Sequence, residues 1–142
     1  IIHIIFSTKN RHRWLDDNIR ERVHAYMATI LRDLDSNAYR IGGMDDHIHI
    51  SCTLPRTMTQ SELVAKIKAV SSKWIKDIDK EYADFAWQKG YGVFSISRSH
   101  LSKLIEYIEG QEEHHKRTTF QEEFKAFLEK YRIEYDERYV WD

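Results

Sequence analysis

Asp45-Asp46-His47-Ile48-His49-Ile50-Ser51-Cys52-Thr53-Leu54 is the stretch whose reading decides the fold. Side chains alternate across a strand. Ile48, Ile50, Cys52 and Leu54 therefore share one face, which is apolar throughout and reads as core. His47, His49, Ser51 and Thr53 share the other. Two imidazoles one pleat repeat apart can bind one metal ion; the other reading is a half-exposed strand that happens to hold two histidines.

Upstream, Ala38 to Gly43 reads as a second strand, and Gly42-Gly43 with Asp45-Asp46 marks the turn between the two. Ile1 to Ser7 reads as the first strand, followed by a basic loop, Lys9-Asn10-Arg11-His12-Arg13. Asp16 or Asp17 can cap a helix with the stripe Ile19, Val23, Tyr26, Ile30 and Leu34. Downstream, Pro55 ends the His-x-His strand. Thr59 or Ser61 opens a helix with the stripe Leu63, Ile67, Val70, Trp74 and Ile78. Tyr91 to Ser97 is a fourth strand, and helices follow. The order β-α-β-β-α-β predicts an α+β, ferredoxin-like antiparallel sheet with helices on one face, plus C-terminal helices. We expect residues 1–142 to form a single domain.

The next helix carries Leu104-Ile105-Glu106-Tyr107-Ile108-Glu109-Gly110-Gln111. Ser99 can cap it, and Leu101, Leu104, Ile105 and Ile108 make its apolar stripe. Tyr107 and Gln111 are i and i+4, so they lie along one edge, which His114 continues. That edge offers a hydroxyl nucleophile and an amide-oxygen ligand; a boundary tyrosine with a half-buried ring is the plainer reading. Gly110 costs about 1 kcal/mol against alanine in a helix interior, which suggests a kink or a close approach.

The pairing of His47-Ile48-His49 with Tyr107-x-x-x-Gln111 resembles the single-tyrosine HUH transposases of the insertion-sequence 200/605 group. Ile5-Phe6-Ser7-Thr8-Lys9 and Trp87-Gln88-Lys89-Gly90-Tyr91-Gly92-Val93-Phe94-Ser95 also look like that family, and the motifs come in its order across nearly the whole chain. The resemblance implies an enzyme that cleaves and rejoins single-stranded DNA with hairpin ends. In that reading Tyr107 is the nucleophile and forms a 5′-phosphotyrosine intermediate. His47, His49 and Gln111 hold a divalent metal, Mg²⁺ or Mn²⁺, with Mn²⁺ better matched to imidazole. It also implies a homodimer in which the tyrosine helix can pack against the partner subunit, so that the active site mixes chains, with Gly110 giving that helix its freedom. Alternatives are a domesticated relative that processes palindromic repeats and a catalytically silent hairpin-binding module. A rolling-circle initiator fits less well, since a lysine usually stands there where this chain has Gln111.

Composition bounds the rest. Net charge is −1 over 142 residues, so any nucleic-acid contact must be local. Lys9, Arg11, Arg13, Lys66 and Lys73 are the candidate phosphate contacts. Residues 118–142 are acidic on balance, including Glu122, Glu123, Glu129, Glu134, Asp136, Glu137 and Asp142, and are expected to stay off DNA. His114 and Lys103 are possible proton acceptors for Tyr107, His114-His115 a possible surface pair, and His3 a solvated or packing residue. Asp45 or Asp46 with the two histidines could mimic a two-His-one-carboxylate iron site. One cysteine, Cys52, excludes a disulfide within the chain and fits a cytoplasmic setting. No apolar run is long enough to span a membrane. The opening Ile1–Phe6 is too short for a signal sequence, and the missing initiator methionine suggests a few preceding residues.

Overall fold

The computed structural model describes residues 1–134, 140 and 141. Four antiparallel strands, β1 (Ile2–Ser7), β2 (Ala38–Met44), β3 (His47–Cys52) and β4 (Gly92–Ser95), form one sheet in the order β2-β3-β1-β4. Helices α1 (Arg20–Asp33) and α2 (Gln60–Lys76) connect β1 to β2 and β3 to β4. This is the ferredoxin-like arrangement expected from the element order. The chain ends in α3 (Leu101–Glu109), α4 (Gln111–His114) and α5 (Phe120–Lys130).

Alternation along β1 and β3 sorts the two faces of the sheet. Ile2, Ile4, Phe6, Ile48, Ile50 and Cys52 point toward α1 and α2 and build the main core with Val23, Met27, Leu63 and Ile67. The opposite face carries His3, Ile5, His47 and His49. It is not solvated: all six residues of β3 are buried. α3, α4 and α5 roof it, and Ile5 and Phe94 pack there with Phe120, Phe124 and Leu128. Register places His49 opposite Ile5 on one side and Gly42 on the other.

Two glycines bring α3 down onto this face. A Cβ on Gly42 would lie 2.7 Å from Ile108 Cγ2 and 2.8 Å from the Ile108 carbonyl oxygen, so only a bare backbone lets the tyrosine helix come so close. Gly43 takes φ +152, where a Cβ would meet the His47 carbonyl at 2.2 Å. It starts the tight turn that delivers His47 into β3.

Several boundaries differ from the sequence reading. Helix α1 begins after Ile19 and has no side-chain cap; Asp16 instead accepts from the Asn18 amide at 3.0 Å within the preceding turn. Thr59 does cap α2, in a reciprocal box with Glu62. The buried side of α2 is Leu63, Val64, Ile67, Ser71 and Ile75, whereas Val70 is exposed. Ser71 is tolerated inside because its hydroxyl donates to the Ile67 carbonyl and accepts from Trp87 Nε1. A short 3-10 turn over Arg98–His100 leads into α3, so His100 rather than Ser99 stands at its start. The helix breaks at Gly110, as its glycine suggested, and resumes as α4. The acidic residues Asp136, Glu137 and Asp142 lie outside the described residues.

Candidate metal and tyrosine site

His47 and His49 project from β3 toward the roof and are wholly buried. His47 Nδ1 lies 2.7 Å from Asp46 Oδ1, so its N–H donates to that carboxylate and the ring is held from behind. Asp46 thus orients the histidine and does not share a ligand position with it. On the other edge, His47 Nε2 lies 2.9 Å from Gln111 Oε1. The Gln111 amide nitrogen donates to Glu123 Oε2 at 3.1 Å, which turns the amide oxygen toward His47. A neutral His47 then presents a lone pair to another acceptor. The pair is joined by a proton on His47 Nε2 or by a cation that both atoms ligate side by side.

Glu123 is the residue that the sequence reading missed. The sequence sets it among the acidic C-terminal residues expected to stay off DNA, but it is 4% exposed and stands at the centre of the site. Its two oxygens divide the neighbours. Oε1 accepts from His49 Nε2 at 3.0 Å and from His115 Nε2 at 3.2 Å, and lies 3.6 Å from His47 Nε2. Oε2 accepts from the Tyr107 hydroxyl and from Gln111, with His114 Nε2 at 3.2 Å. The helix explains the placement. Glu123 is three residues after Phe120 and four before Phe127, inside the apolar stripe of α5, and a capping box between Thr119 and Glu122 fixes where that helix starts.

His114 and His115 are not a surface pair. His114 Nε2 lies 3.3 Å from the Tyr107 hydroxyl, and His115 is turned onto Glu123. His3 is buried too, stacked on His49 with its Nε2 2.8 Å from His49 Nδ1. The hydrogen-bond chain fixes the tautomers. If His49 Nε2–H donates to Glu123, His49 Nδ1 accepts from His3, and His3 Nδ1 is left without a partner among the described residues.

The electrostatics follow from burial against one anion. Burial drives the pKa of His49 down to about 4 despite Glu123, and that of His3 to about 3. For His115, burial works against the charged ring, but Glu123 more than offsets it and the pKa is raised. Burial alone would raise the Glu123 carboxyl; hydrogen bonds from His115 and His49 outweigh it and keep Glu123 ionised. Burial, with Glu123 beside it, pushes the Tyr107 hydroxyl up, so in this arrangement the tyrosine holds its proton.

The ligand atoms of His47, His49, His115 and Glu123 all lie within 4.8 Å of one another. Cis donors around a small octahedral cation are about 3 Å apart and trans donors about 4.2 Å when each bond is about 2.1 Å; Glu123 Oε1, 3.0 Å from His49 Nε2 and 3.2 Å from His115 Nε2, has the cis spacing, while the donors of the whole cluster spread up to 4.8 Å, wider than the trans one. Gln111 Oε1 adds a neutral oxygen beside His47. Three imidazoles with oxygen donors and no thiolate match Mn²⁺ better than Mg²⁺.

Of the candidate DNA contacts, Lys9 and Arg11 lie in a 3-10 turn after β1. Arg13 lines a small cavity with Asp46, His115 and Thr118, at the rim of the site. Lys66 and Lys73 are on α2, across the sheet from the histidines. Lys68, from the same basic helix, is turned inward and donates to the carbonyls of Gln88, Lys89 and Gly90.

A ferredoxin-like sheet thus carries the His-x-His strand beneath a tyrosine-bearing helix. The chain belongs to the IS200-like transposase family, whose profile matches residues 1–111. That stretch ends at Gln111, so His115 and Glu123 lie beyond it. The fold is similar to that of a candidate transposase from Deinococcus radiodurans R1 (20% identity, 78% of this chain and 88% of that one, TM-score 0.61). It is also similar to a REP-associated tyrosine transposase bound to a REP hairpin (16% identity, 80% and 67% coverage, TM-score 0.62). No curated protein sequence matches. Among the described residues, no helix is long and apolar enough to cross a membrane.

Proposed function

We propose that the chain is a metal-dependent strand transferase for single-stranded DNA, with Tyr107 as nucleophile. The observation that carries this reading is the convergence on Glu123 of the paired histidines, Gln111 and the Tyr107 hydroxyl within one chain. His47, His49 and Gln111 would hold a divalent ion, with Glu123 and His115 as further donors. When bound, the ion would act as a Lewis acid on the scissile phosphate.

The residues themselves supply the rest of the step. Tyr107 Oη forms a bond to phosphorus and the bond from phosphorus to the 3′ oxygen breaks. The product is a 5′-phosphotyrosine and a free 3′-hydroxyl. Glu123 Oε2 accepts the Tyr107 hydroxyl and fixes where it points, while His114 Nε2, 3.3 Å from that hydroxyl, is placed to take its proton. His114 can then pass a proton to the departing 3′ oxygen. Attack by another 3′-hydroxyl on the phosphotyrosine reverses the same bonds and rejoins DNA without a nucleotide cofactor.

Hairpin-ended single strands are the proposed substrate. Family membership supports this class, as does the fold shared with a protein described bound to a REP hairpin. That likeness also favours, as a second reading, a domesticated role in processing palindromic repeats. A homodimer is proposed from the family resemblance, although each site is complete in one chain. The test is cleavage of hairpin-ended single-stranded DNA with and without Mn²⁺. Wild type should cleave only with the metal, His49→Ala should not cleave, and Gln111→Glu should keep part of the activity because a carboxylate oxygen also suits a hard cation. Normal cleavage by His49→Ala would refute the metal site.

A further inference from the structure

Tyr107 is a wall between two cavities. On one side lie Glu123 and His114. On the other is a larger cavity of about 610 Å³ between α3, β4 and α5, within the range of small-molecule sites, about 300–1,000 Å³. Among the described residues its lining contains no carboxylate, but it includes Lys103, Lys130 and His100. Its aromatic wall is already a stack: Phe94 lies between Phe127, at 5.4 Å, and Tyr131, at 4.7 Å, with rings tilted by only 26° and 23°. Tyr131 remains 37% exposed at the end of that stack. The lining also includes His3, whose buried Nδ1 is the polar atom left without a partner. Phosphate-pairing cations, an exposed aromatic face and an orphaned hydrogen-bonding atom, all beside the Tyr107 side chain, are the groups that bind a nucleotide.

We propose that this cavity receives a nucleobase of single-stranded DNA, from the nucleotide adjoining the phosphate that Tyr107 attacks. The proposal rests on the strand-transfer reading for the identity of that phosphate, but the cavity's preference for an unpaired base stands on its own lining. The base extends the Phe127–Phe94–Tyr131 stack over Tyr131. Lys130 Nζ, 5.6 Å from the Tyr131 ring centre, gives up that contact to the incoming base and pairs with a flanking phosphate, as does Lys103, and His3 Nδ1 offers a hydrogen bond at the cavity wall. A paired base cannot enter, because its stacking faces and pairing edge are already covered, so the cavity favours single strands over duplex.

The probe is a fluorescent dT12 strand with 5-iodouracil in place of thymine, bound to the full chain and irradiated. Crosslinks should fall in peptides covering residues 96–104 or 127–131. Tyr131→Ala should weaken binding about 5- to 150-fold, the range for one base–aromatic stack, while Tyr131→Phe should bind as wild type. Lys103→Ala should lower the log–log salt slope by about 0.7, the value for one phosphate contact on a single strand. A 12-base-pair duplex should compete poorly. Crosslinks confined to Arg11–Arg13 or α2, or unchanged binding by folded Tyr131→Ala and Lys103→Ala, would overturn the proposal, and so would failure to bind dT12. A parallel assay for covalent Tyr107–DNA adduct separates the two readings. An adduct with crosslinks elsewhere removes only the base site; crosslinks in the cavity with no adduct remove only the strand-transfer chemistry.

Discussion

Replacing Glu123 by glutamine separates the carboxylate's charge from its shape. Glu123→Ala would leave the His49 and His115 ring N–H groups, the Gln111 amide and the Tyr107 hydroxyl without their common acceptor. Removing one partner of a buried charged cluster costs about 3–5 kcal/mol, a large part of the 5–15 kcal/mol that holds a typical domain. Glutamine fills the same volume and keeps one acceptor oxygen. Hydrogen bonds to charged groups contribute about 1.5–3 kcal/mol against 0.5–1.5 for neutral ones, so Glu123→Gln should lose about 1–2 kcal/mol without metal. The metal effect is separate. Mn²⁺ at 100 times its Kd stabilises wild type by about 2.7 kcal/mol, and a 100-fold weaker site at the same concentration retains only about 0.4. Urea unfolding followed by tryptophan fluorescence, with and without Mn²⁺, measures both. A Glu123→Gln variant with wild-type stability and full Mn²⁺ protection would refute the assignment of Glu123 as both the hub of the cluster and a metal donor.

Acid should destabilise the fold from about pH 6.5 downward. His49 and His3 have folded pKa values near 4 and 3, below the unfolded value, so the unfolded chain binds more protons and each removes about 2 kcal/mol by pH 5. His115 has the opposite sign, its stabilisation being full below the unfolded value and lost as pH rises through its raised pKa. Glu123, with its depressed pKa, is lost only below about pH 4.3; denaturation midpoints that stay flat from pH 7 to 5 would contradict the buried neutral histidines. Gly42→Ala should push α3 off the sheet, lowering stability by about 1–3 kcal/mol and cutting cleavage more than DNA binding; a fully active, equally stable variant would show that the close approach is dispensable. Mixing His49→Ala with Tyr107→Phe chains should give no recovery, because both groups of a site come from one chain; restored cleavage would instead mean that the tyrosine is exchanged between subunits.

Much of this site is written in local patterns, and the rest in tertiary contacts. The alternation around His47 and His49 is set by the strand period and survives in the structure; the helical spacing of Tyr107 and Gln111 is interrupted at Gly110, so the two stand on α3 and α4, yet both donate to Glu123 Oε2. Glu123 does not stand out in the sequence because its segment is acidic on balance and reads only as a stretch that stays off DNA. Its position between Phe120 and Phe127 on one helix face was the available signal, a carboxylate where the stripe calls for an apolar residue. His3 carried a similar signal, a histidine flanked by Ile2 and Ile4, yet only the register of β1 against β3 brings it to His49. The α2 stripe shifted because Ser71 satisfies its hydroxyl internally and joins the core, which leaves Val70 outside. No composition rule foretells that.

The central claim is that Tyr107 becomes covalently linked to DNA. Full-length chain should be incubated with hairpin-ended single-stranded DNA and Mn²⁺, digested, and examined by mass spectrometry for a nucleotide-modified peptide. The account predicts one modified residue, Tyr107, joined to a 5′-phosphate, with the adduct absent when Mn²⁺ is withheld and absent in Tyr107→Phe, which still binds the DNA. A phosphotyrosine at another residue such as Tyr91, or an undiminished adduct in Tyr107→Phe, would contradict it.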